Sequence, residues 1–126
     1  MKILIIALSM IAFNAWSDCY VVGDIKGYST RSAENFDLSE DAISNQNFII
    51  EIAGDKSTVT PNTMSCTQMG TTVLVCIDQK PGGQMSLETW AVHPNEGKVV
   101  YTKANHGYGQ FDGANLMIGN IKGSCN

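Results

Sequence analysis

Apolar and polar side chains alternate along this chain in short runs, the period-two signature of strands with one covered face. The clearest run, residues 47–53, sets Phe48, Ile50 and Ile52 against Ile49 and Glu51. Comparable runs occupy 19–28, which opens on Tyr20, Val21 and Val22, and then 56–60, 64–69, 72–77, 84–93, 98–104 and 114–121. Turn-forming residues stand between them: Gly54 and Asp55, Pro61 and Asn62, Gly70 and Thr71, Pro81 to Gly83, and Pro94 to Gly97. Such residues reverse the chain because they preset φ, tolerate positive φ or bond their own backbone. The pattern predicts about eight strands. Only residues 32–44 lack it, and there the polar stretch around Glu40 and Asp41 predicts either a helical turn capped by Ser39 or a long loop.

The turn at Gly70 and Thr71 also orders the sulfur chemistry. Cys66 and Cys76 lie equally far from residue 71, so they face each other across an antiparallel hairpin. The Cα atoms of a non-hydrogen-bonded pair approach to roughly 4.5 Å, within reach of a disulfide. Of the pairings open to four cysteines this leaves Cys19 with Cys125, one near each end of the strand-rich region. Closing a loop of about 100 residues removes roughly 4.7 kcal/mol of unfolded-chain entropy, which makes the terminal bridge the stronger of the two. If an even number of strands runs up and down and the sheet closes, the first strand neighbours the last, and a bridge between the ends follows. The expected fold is therefore all-β: a small antiparallel barrel of about eight strands, closed or nearly closed, with two disulfides. The alternative is a two-sheet sandwich with paired termini.

Oxidised cysteines call for an oxidising compartment, and the start of the chain supplies the route. Lys2 is a basic n-region, residues 3–13 are apolar apart from Ser9, and Ala15 and Ser17 place small residues before Asp18. This is the layout of a secretory signal peptide over residues 1–17, cut after Ser17, and it places the mature protein in the periplasm or outside a bacterial cell. No other window approaches the roughly 20 apolar residues of a membrane helix, so no membrane insertion is expected. Removing 17 of the 126 residues leaves a single β domain, 18–126, and takes away Lys2. Seven of the eight basic side chains then face 12 acidic ones, a net charge of −5. Scattered basic residues in an acidic chain argue against nucleic acid and anionic lipid as partners, and charge steering favours a basic one.

The chemistry-bearing residues do not spell out a reaction. His93 and His106 are the only imidazoles, and with the cysteines paired they fall short of a zinc ligand set; no metal and no cofactor is expected. There is no Gly-x-Ser-x-Gly elbow, Walker loop or Cys-x-x-Cys motif. Adjacent acids such as Glu40 and Asp41 read as solvated residues. A non-enzymatic role is favoured over a catalytic one.

Two segments stand out for recognition. In residues 105–113, three glycines separate His106, Tyr108, Gln110, Phe111 and Asp112, an arrangement that holds aromatic groups on a long loop near solvent. Such groups give large contact area with few rotors. The same Tyr108 and Phe111 can instead fold back as a plug over the barrel end. Around the turn at 94–97, Trp90 and Tyr101 pair across the hairpin beside Val92 and Val99. Met85, Leu87 and Ala91 fall on one face of that strand, and Trp90 and Val92 on the other. Apolar residues on both faces imply a second covered surface or an exposed patch, and make Trp90 with Tyr101 a candidate binding surface.

In size, export signal, acidity and expected small barrel the chain resembles the periplasmic lysozyme inhibitors of bacteria, which oppose a basic enzyme. The Ser-Gly-x-x-Tyr type motif of that group matches no stretch here, so no functional residue is carried over. The resemblance implies an exported binding protein, an inhibitor or immunity-like protein acting on a folded, basic envelope or host enzyme such as lysozyme. The alternative is a carrier of a small apolar ligand in the barrel interior, since eight strands leave room for side chains or one small ligand. An enzyme of uncharacterised activity is the third reading.

Overall fold

The computed structural model describes residues 18–125; the expected signal peptide, residues 1–17, lies outside them. Nine strands follow one another: β1 (Asp18–Arg31), β2 (Ser39–Ile43), β3 (Phe48–Ile52), β4 (Thr58–Thr60), β5 (Ser65–Met69), β6 (Val73–Gln79), β7 (Met85–His93), β8 (Lys98–His106) and β9 (Gly113–Ser124). Single 3₁₀ turns at Ser32–Glu34, Gly54–Lys56 and Gly109–Phe111 link some of them. No helix among the described residues is long and apolar enough to cross a membrane.

All pairings are antiparallel, and the strands lie in the order β4-β3-β1-β9-β8-β7-β6-β5. β4 and β5, at the two ends of that order, approach each other. The Gly54 amide donates to Gln68 Oε1 of β5 at 3.0 Å, so the ring is a nearly closed barrel of eight strands rather than two separate sheets. First and last strands are neighbours, as the barrel reading requires, and Cys19 bridges Cys125 with Cα atoms 5.4 Å apart. Cys66 and Cys76 are direct cross-strand partners joined inside the barrel.

The ninth strand corrects the reading of residues 32–44. Ser39–Ile43 forms neither a helical turn nor a loop but β2, paired to the second half of β1 from Ile25↔Ile43 to Ser29↔Ser39. β3 pairs with the first half of β1, so β2 and β3 act as one interrupted neighbour. The interruption coincides with a bulge in β1, where the register shifts around Gly23 and Asp24 takes a positive φ of 54°. A bulge bends a strand and turns its far half, which lets one 14-residue strand serve two partners. Glycine permits a second close approach: a Cβ on Gly27 would lie 2.1 Å from the Leu116 carbonyl oxygen of β9.

Inside, Val22, Ile25, Ile50, Leu74, Val99 and Met117 have lost essentially all contact with solvent. Each contributes roughly 1.5–3 kcal/mol through burial. They surround Trp90, whose ring lies 5.2 Å from Phe48 and 4.3 Å from Tyr101 between centroids. The interior is filled by side chains, as in the narrowest barrels of this strand number.

Candidate functional site

The loop from β8 to β9 is built rather than loose. His106 closes β8; Asp112 then folds the chain back, its carboxylate accepting from the Tyr108 amide at 2.6 Å and the Gly107 amide at 3.1 Å. Gly107 has φ of 87°, and a Cβ there would stand 3.0 Å from the Gly83 carbonyl oxygen, so no other residue fits without strain. The Ser32 amide donates to the Asp112 carbonyl at 2.8 Å, which ties the loop to the turn that follows β1. Asp112 therefore serves the loop's own geometry. Tyr108 is half-buried with Lys80 Nζ 5.9 Å from its ring centroid, while Phe111 is 62% exposed and His106 and Gln110 also face solvent. Tyr108 packs back on the end of the barrel; Phe111 does not. The connection after β1 adds Phe36, 58% exposed, and Leu38, 77% exposed, at this same end.

Trp90 and Tyr101 occupy the opposite kind of place. They are direct partners across the β7–β8 hairpin, next to Val92↔Val99, and both are buried inside the barrel, so neither belongs to a binding surface. The physical reason is volume: the interior needs the large rings, whereas Met85, Leu87 and Ala91 on the other face fit a half-covered outer wall.

Reasoning from sequence missed what lies beneath them. Period two from Trp90 puts Glu88 and Ser86 inside as well, and both are buried. Glu88 Oε1 accepts from Trp90 Nε1 at 3.3 Å and from Asn62 Nδ2; Oε2 accepts from the Tyr101 hydroxyl at 3.2 Å and lies 3.5 Å from Lys103 Nζ. Burial, with the adjacent Glu88 carboxylate, holds the Tyr101 phenol well above its ordinary range. Further inward groups follow toward the loop end: Ser86 donates to Asn105 Oδ1 at 2.7 Å, and Arg31 donates to Asn115 Oδ1 at 2.5 Å and the Ala114 carbonyl at 3.1 Å. The barrel is thus graded, apolar near the terminal disulfide and polar beneath the 105–113 loop. Both Glu88 oxygens have two partners each, an arrangement that anchors a buried carboxylate and leaves no lone pair aimed at a substrate.

His93 ends β7 ahead of Pro94 and is exposed. Among the described residues no group of three His, Cys, Asp or Glu side chains is placed to hold a metal ion. An open groove of about 1020 Å³ runs along the outer wall past Lys26, Tyr28, Glu40, Lys98 and Ile118. It lies outside the barrel. Comparison with known protein families, curated proteins and solved structures finds no match.

Proposed function

We propose that this chain is an exported, non-enzymatic binding protein that engages a folded basic partner with the end of its barrel, as an inhibitor or immunity protein of the cell envelope would. One observation carries the reading. A loop pinned by Asp112 and Ser32 holds Phe111 out to solvent above an interior that is already full. A rigid, preorganised aromatic anchor loses little entropy on binding, which is what a recognition element needs. Two disulfides, one closing the opposite end of the barrel and one within its wall, stiffen the scaffold that carries the loop and suit the periplasm or the cell exterior. The acidic net charge favours a basic partner. The carrier reading would need space where Trp90, Leu74 and Met117 stand, and the packing works against it.

The test uses the mature chain against a panel of basic envelope-degrading enzymes that includes lysozyme, read by interferometry. Binding to at least one is expected, weakening with salt and falling about 10-fold or more in the Tyr108→Ala, Phe111→Ala double variant. Equal affinity of wild type and variant, or no binding to any basic enzyme, would remove the proposal.

A further inference from the structure

β2 is bonded on one side only. The strands of the ring each meet a neighbour on both sides, β4 and β5 by their approach to each other, whereas among the described residues no strand lies against the far edge of Ser39–Ile43. The register shows which backbone groups stand on that edge. The Ser32 amide donates to the Asp112 carbonyl at 2.8 Å, and a Cβ on Gly27 would lie 2.8 Å from Met117 Cα, so Arg31↔Gly113 and Gly27↔Met117 are close, non-hydrogen-bonded pairs between β1 and β9. Gly27 therefore turns its own amide and carbonyl to β2, and by the period of two so do Ile25 and Ser29. Their partners Ile43, Asp41 and Ser39 answer them, which leaves Glu40 and Ala42 with N–H and C=O pointing away from β1. The Ala42 amide agrees, since it donates to the exposed Asp41 carboxylate at 2.8 Å.

We propose that this edge takes up an extended basic segment of a partner protein as an added antiparallel strand. An edge with open donors and acceptors is a template for another chain. Charge selects the chain. Glu34, Asp37, Glu40 and Asp41 are exposed and none is ion-paired among the described residues, and residues 32–47 hold no basic side chain. A second copy would set the same carboxylates against these, and like charges opposite each other across strands repel. Lys26, the β1 partner of Ala42, is the base that flanks the strand, so attraction for a cation concentrates at Glu40 and Asp41. The segment that fits carries basic residues at the two consecutive positions opposite Asp41 and Glu40, and small or β-branched ones opposite Ala42 and Ile43. Its carbonyl replaces the Asp41 carboxylate on the Ala42 amide and frees that carboxylate for the added cation. This contact lies on the flank of the barrel and makes no use of the Phe111 loop, so it goes beyond the end-on reading and stands without it.

Amide exchange of the domain, residues 18–126, read by NMR, tests the register. The probe is the peptide acetyl-Thr-Val-Thr-Lys-Lys-Thr-Val-amide, titrated to about 2 mM; at about ten times its dissociation constant, exchange at a covered amide slows about 10-fold. Slowing is expected at Glu40 and Ala42 and not at Ser39, Asp41 and Ile43, whose amides already serve β1. The peptide with Glu-Glu in place of Lys-Lys, and the Lys-Lys peptide N-methylated throughout, should have no effect at the same concentration. Ala42→Pro removes an outward donor at an edge position where proline is tolerated, and should abolish the response. Should that variant lose β2 itself, Glu40→Lys combined with Asp41→Lys is the second, and should turn the preference toward the Glu-Glu peptide. Phe111→Ala should respond as wild type does, which separates this contact from the one at the barrel end. No slowing by the Lys-Lys peptide, slowing that survives N-methylation, or slowing spread evenly over residues 39–43 overturns the proposal. So does protection of Glu40 and Ala42 that grows with protein concentration alone, the mark of a second copy on this edge.

Discussion

Replacing Glu88 by Ala should be among the most damaging single changes in the barrel, because it strips an acceptor from four groups at once. In the folded protein its two oxygens serve Asn62, Trp90, the Tyr101 hydroxyl and the Lys103 ammonium. Alanine would leave the indole N–H and the phenol buried without partners, at about 1–3 kcal/mol each, and would leave Lys103, 30% exposed at its side chain, to find water. Lost packing adds to this, while relief of the carboxylate's own desolvation subtracts from it. The net expectation is a loss of about 3–5 kcal/mol, a large share of the roughly 5–15 kcal/mol that holds such a domain together. At about 4–8 °C per kcal/mol the melting temperature should fall by about 15–30 °C. Glu88→Gln keeps one carbonyl oxygen for Trp90 or Asn62 and should cost about half as much. Urea unfolding of wild type and both variants at pH 7, followed by Trp90 fluorescence, measures the differences. A loss below about 1 kcal/mol for Glu88→Ala would refute the view that this carboxylate is the buried hub of the polar end.

Two further predictions concern the same interior and the covalent frame. The Tyr101 phenol is held above its ordinary range, chiefly by burial and then by the Glu88 charge, so the unfolded chain gives up this proton at lower pH than the folded one. Its contribution to stability is complete below pH about 10 and is lost as pH rises from there toward the folded value. Tyr101→Phe should therefore flatten the decline in unfolding free energy between about pH 9.5 and 11, and parallel curves for variant and wild type would contradict the assignment. Replacing Cys19 and Cys125 together by Ser opens a loop spanning 106 positions and should cost about 4.7 kcal/mol, against about 2.7 kcal/mol for Cys66 and Cys76, whose separation is 10. Calorimetry that ranks the two pairs in the reverse order would show that the chain-entropy account fails here.

Much of this architecture was legible before any coordinates. The alternation of Phe48, Ile50 and Ile52 and the turn centred on residue 71 were enough to place strands, register and both sulfur links, because period and turn chemistry are local. What escaped was decided at long range. Ser39–Ile43 holds only one strongly apolar residue, Ile43, and becomes a strand because the bent far half of β1 offers it an edge. The pairing of Trp90 with Tyr101 followed from the turn at 94–97, but which face pointed inward did not. Both faces of β7 are apolar at several positions, and Glu88 shares the face of Trp90, which made that face look less like a core. A buried carboxylate is legible only once Asn62, from a connection more than 20 residues away in sequence, is seen to meet it. The exposed Phe36 and Leu38 were likewise silent, since residues 35–38 gain their place at the loop end only through contacts between the turns at 32–34 and 109–111.

The proposed function stands on a barrel whose interior is taken up by its own side chains, and native mass spectrometry of the purified domain, residues 18–126, tests that most directly. It predicts bare polypeptide with both sulfur links formed and nothing retained under gentle ionisation. A stoichiometric lipid or metabolite carried into the gas phase and released only on unfolding would contradict it, and would return the interior to the place of the binding site.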